Sequence, residues 1–134
     1  GEQSTSFEAL NAAWFRDGLL LRVEADAKVE RPLHVLHVST KHDQPTVVHP
    51  RIVVAAGRSA EMTVVEDHVA LDDSDDFVNA VVDLQLDENA HVEWVRVVRT
   101  GAEHLHVGSI RSRQARDSRL REHAMVVDGE DHAV

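Results

Sequence analysis

The apolar positions change period near residue 18. Upstream, Phe7, Leu10 and Trp14 recur at i, i+3 and i+7 and share one face of a helix. Thr5 and Glu8 form a T-x-x-E capping box, in which each side chain satisfies a backbone donor at the helix start. Gly18 is placed to end the element, because glycine enters the left-handed conformation without steric cost. The pattern predicts a short helix of about three turns that caps the remainder of the chain.

Downstream the period is two. Leu21, Val23 and Ala25 alternate with Arg22, Glu24 and Asp26, and Ile52, Val54 and Ala56 alternate with Val53 and Ala55 ahead of a turn at Gly57 and Arg58. Leu84 and Leu86 alternate with Asp83, Gln85 and Asp87 ahead of Glu88 and Asn89. Alternation sends one set of side chains inward and the other into water, as in a strand. These segments also resemble one another. Ala27, Ala60 and Ala90 recur at spacings of 33 and 30 residues, each followed two places on by Val29, Met62 or Val92. Glu30, Glu66 and Glu93 fall nearby, and a degraded fourth copy is centred on Ser118 and Leu120, 28 residues after Ala90.

A repeat of about 30 residues built from strands and turns predicts an all-β solenoid of stacked coils. Residues 1–18 would be the helical cap and residues 19–134 the core. An antiparallel sandwich or jelly roll is the competing architecture, but the chain's Asp-Gly pairs are only Asp17-Gly18, at the end of the helix pattern, and Asp128-Gly129. A hexapeptide-repeat acyltransferase is excluded by the length of the repeat.

Composition narrows the class. Val occupies 22 of 134 positions and aromatics only 4%, which speaks for sheets packed from small branched side chains. A net charge of −10 makes the chain a poor polyanion binder. With no cysteine there is no disulfide, thiolate zinc site, cysteine nucleophile or self-contained iron–sulfur site. No basic segment followed by an apolar run opens the chain, and runs such as residues 19–21 fall far short of the roughly 20 residues that span a bilayer. A soluble cytoplasmic domain is expected.

Residues 10–39, LNAAWFRDGLLLRVEADAKVERPLHVLHVS, resemble the core of the SufB/SufD family of iron–sulfur cluster assembly proteins. Phe15, Arg16, Asp17 and Gly18, with Val29, Glu30, Arg31, Pro32, Leu33 and His34, are similar to SufD rather than SufB. Pro50, Arg51, Ile52, Val53 and Val54, then AEMTVVE at 60–66 and QARDSRLREH at 114–123, fit in the same order. The resemblance implies a right-handed parallel β-helix that is not catalytic by itself. It also implies a cytosolic complex with SufB and the ATPase SufC, a scaffold on which iron–sulfur clusters form transiently. A SufD protein continues beyond the position of Val134 into the SufC-docking surface and the histidine implicated in cluster assembly, so a fragment or shortened relative is expected, and neither feature maps onto a residue here. A bare solenoid end would recruit a further strand, so self-association is expected.

Candidate chemistry is thin. His104 and His106 form an H-x-H pair pointing to one strand face, while His34 and His37, three apart, point to opposite faces. A cupin-like metal enzyme using His104, His106 and a distant histidine is the alternative from a different class, but no acidic residue follows the pair at short, regular spacing. His42, His49, His68, His91, His123 and His132 read as ordinary outer-face residues. The acidic run from 66 to 88, centred on LDDSDD at 71–76, reads as a solvated loop without calcium-loop spacing. Arg111, Arg113, Arg116, Arg119 and Arg121 read as a pairing surface, against a partner or the acidic run, or as a solvated ladder. They do not read as a nucleic-acid site, since no aromatic follows Trp94. Trp14 and Trp94 read as core or cap residues. No G-x-S-x-G elbow and no phosphate-binding glycine motif occurs. No catalytic, cofactor or metal residue is therefore assigned.

Overall fold

The alternating segments form strands, and every strand pairing in the computed structural model, which describes residues 5–71, 76–100 and 105–128, is parallel. After helix α1 (Ser6–Trp14) come β1 (Gly18–Val23), β2 (Leu33–Ser39), β3 (Val47–Val48), β4 (Arg51–Ala56) and β5 (Glu61–Ala70). They are followed by β6 (Phe77–Leu86), β7 (His91–Thr100), β8 (Leu105–Gln114) and β9 (Arg119–Asp128). One sheet runs β1-β4-β6, with β8 on the far edge of β6 and β3 beside its start; the other runs β2-β5-β7-β9. Four coils therefore stack, β1–β2, β4–β5, β6–β7 and β8–β9, in the β-solenoid that the repeat predicts. The all-parallel pairing excludes the antiparallel sandwich and the cupin barrel.

The register places the predicted rungs side by side: Leu21 on Val54 and Val54 on Leu84. Between the two strands of each coil the chain turns through one left-handed residue, Asp26, Ser59, Asn89 or Asp117, with φ between 58° and 65°. Asn and Asp tolerate this region better than most residues, because their short polar side chains bond locally. The turns also stack: Asp26 N–H donates to the Arg58 carbonyl at 2.8 Å, Ser59 N–H to Glu88 at 2.9 Å, and Asn89 N–H to Arg116 at 3.0 Å. Gly57 lets the first two coils close up, since a Cβ there would lie 2.7 Å from the Ala25 amide nitrogen. Ala60 and Ala90, the repeat anchors, are fully buried beside these turns.

One end of the interior is apolar. Val23, Ile52, Val54, Met62, Val64, Val82, Leu84, Leu86 and Val92 interlock there, with Trp94 the largest fully buried side chain.

The capping box at Thr5 and Glu8 forms as predicted, but the helix ends differently. Phe15 is the C-cap in an extended conformation, and Gly18 begins β1 instead of stopping the helix. Trp14 is 64% exposed, not a core residue; Phe7 reaches the sheet through an edge contact with Phe77 at 6.2 Å. The residue that the helix buries is Asn11, whose amide donates to the Pro50 carbonyl at 2.9 Å and the Asn79 carbonyl at 2.8 Å. Asn79 donates back to the Phe7 carbonyl at 2.8 Å, and Arg51 donates to Asn11 Oδ1 at 3.2 Å. This polar clasp holds α1 on the outer face of β6. Asn11→Ala should remove the side-chain donor to the Pro50 and Asn79 carbonyls and the acceptor of Arg51, and lower stability by about 1–3 kcal/mol, which a shift in urea midpoint measures.

Candidate functional site

The other end of the interior is polar. On β5 the inward series Met62, Val64 continues as Glu66 and His68, and on β7 the inward series Val92, Trp94 continues as Arg96. In register on β2, His37 lies beside His68. A carboxylate, a guanidinium and imidazoles thus share a space that the period-two rule reserves for apolar residues.

The Glu66 carboxylate, 1% exposed, is the hub. Its Oε2 accepts from Trp94 Nε1 at 2.8 Å and Arg96 Nε at 3.0 Å. Its Oε1 faces His68 Nε2 at 2.8 Å and His37 Nε2 at 3.6 Å. The His37 and His68 rings stack, with centroids 4.2 Å apart and planes within 5°. His106 on β8 meets His68 edge-on at 4.4 Å. Gly108, also on β8, vacates the space that the Arg96 guanidinium fills: a Cβ there would collide with Nη1 and stand 3.0 Å from Cζ. An ion pair buried in this way holds only while its hydrogen bonds are complete.

The cluster shapes the ionisation of its members. Burial by itself pushes the Glu66 carboxyl up, but the His68 hydrogen bond and the Arg96 charge outweigh it and hold the group at about 2. Burial, reinforced by His68, pulls His37 down to about 4 against the attraction of Glu66. Glu66 is therefore anionic and His37 neutral near pH 7. His37 Nε2 is buried without a hydrogen-bond partner among the described residues.

Several expectations need correction. His68 does not belong to the outer face, and Glu66 does not belong to a solvated acidic loop; both are interior. His34 and His37 do point to opposite faces, His34 lying outside at 3.6 Å from Asp67. The H-x-H pair cannot be judged as a unit, since His104 lies outside the described residues, as do Asp72, Asp73, Asp75 and His132. Of the arginine group, Arg111 pairs with Asp83 at 2.7 Å, so one member does meet the acidic run. Arg116 is exposed beside Asp117.

The fold and its lining define a class: a parallel β-solenoid whose interior carries a buried ionic and imidazole cluster at one end. A family model, the SufBD core domain of the SUF iron–sulfur cluster assembly system, matches residues 37–132, and the chain belongs to that family. An iron–sulfur cluster assembly SufBD family protein of Synechocystis is 27% identical over 123 residues, covering 86% of this chain and 27% of the relative. The chain thus spans about a quarter of the length of that relative. No solved structure matches. Among the described residues no helix is long and apolar enough to cross a membrane.

Proposed function

We propose that the chain is a SufD-like scaffold part of the SUF iron–sulfur assembly system. It acts in the cytoplasm through contacts with SufB-like and SufC-like proteins, and it is not catalytic by itself. The supporting observation is the match of residues 37–132 to the SufBD core domain, which spans all or part of every stacked coil. The physical role is to hold rigid, parallel edges for partners. The stacked parallel strands of the two sheets supply a rigid ladder against which a partner or a second copy is held. Iron and sulfide are cargo of the complex in this reading. Purified SufB and SufC proteins, mixed with this protein, should be retained with it on affinity capture and gel filtration. Failure to retain either one would overturn the proposal.

A further inference from the structure

We propose that His37, Glu66 and His68 form a binding site for a divalent first-row transition cation inside the solenoid. One donor atom from each lies within 4.8 Å of the other two. Two imidazoles and a carboxylate are a donor set suited to Fe(II), Co(II) or Zn(II), whereas calcium and magnesium prefer oxygen alone.

The geometry divides the carboxylate in two. Trp94 and Arg96 grip Oε2 and fix its orientation, as outer hydrogen bonds do for carboxylates that bind metals. Oε1 turns towards both imidazole Nε2 atoms and also accepts a long contact from Arg96 Nη2 at 3.5 Å. His37 Nε2 is buried with no hydrogen-bond partner among the described residues, an unexplained cost that a bound cation would remove. Parallel stacked rings cannot both aim a lone pair at one ion, so loading requires His37 to swing out of the stack. It is the ring with room to do so, on edge strand β2 with its side chain 23% exposed, whereas that of His68 is 4% exposed. Loading uses the His68 tautomer that leaves Nε2 free to donate its lone pair. Water completes the coordination. The nearby Arg96 charge opposes the cation, which makes the site one that loads and releases instead of holding its ion permanently.

The test is anaerobic titration of the untagged chain with Co(II), read by visible absorption and by equilibrium dialysis. One equivalent should bind with nitrogen-ligand bands. His37→Ala, on the edge strand, should weaken binding at least tenfold, and His68→Gln should do the same. His91→Ala, on the outer surface, should leave binding unchanged. Circular dichroism verifies that each variant is folded; if His68→Gln is not, His37→Ala decides alone. Absence of stoichiometric binding by the parent chain would overturn the proposal. So would a folded His37→Ala variant that binds as tightly as the parent.

Discussion

Glu66→Ala should cost about 3–5 kcal/mol of folding stability, because removing one partner of a buried pair leaves the other charge uncompensated. Arg96 would remain 7% exposed with its carboxylate gone, and the Trp94 indole N–H and His68 would each lose an acceptor. Urea denaturation followed by circular dichroism measures the loss. The double variant Glu66→Leu with Arg96→Met discriminates the cause. It removes both charges and keeps the volume, so it should recover most of the stability, as apolar replacements of buried pairs often do. A double variant no more stable than Glu66→Ala would show that shape, not charge, carries the site.

The second large effect is loss of stability in acid. Glu66 sits near 2 in the folded chain against an ordinary 4.5, so between those values the unfolded chain binds more protons than the folded one. Its contribution is complete above about pH 4.5 and disappears as pH falls towards 2. At about 1.4 kcal/mol per pKa unit, this is roughly 3 kcal/mol. His37 acts in the same direction at higher pH. Its folded value of about 4 against 6.5 gives stability that is whole above pH 6.5 and lost on the way down to 4. Urea midpoints measured from pH 7 to pH 3 should therefore fall in two stages. His37→Asn should abolish the upper stage, and Glu66→Gln should flatten the lower one. Profiles parallel to that of the parent would refute this account.

How far the structure could be read in advance depended on whether a residue's partners were local. The coils were legible because Ala27, Ala60, Ala90 and Ser118 recur beside turns of one design, and stacking places equal offsets side by side. The interior cluster was equally present in the parity of the strands. Glu66 and His68 share the face of Met62 and Val64, and Arg96 shares that of Val92 and Trp94. Chemical type pointed the other way, since charged residues belong in water unless a partner compensates them. The partner of Glu66 is 30 positions away on the next coil, and only the register reveals it. The docking of α1 was less legible still. Asn11 reads as a mediocre helix residue, and its acceptors are backbone carbonyls of Pro50 and Asn79, which no side-chain pattern marks.

Repetitive stacks commonly behave as nearly independent units, free to fray from either rim. Here Glu66 fastens the second coil to the third through Arg96 and Trp94, and faces the first through His37. Peeling one layer away thus strands a charge in the next. The consequence is an all-or-none melting transition across these three layers, where an apolar column of the same length would unzip gradually from its ends.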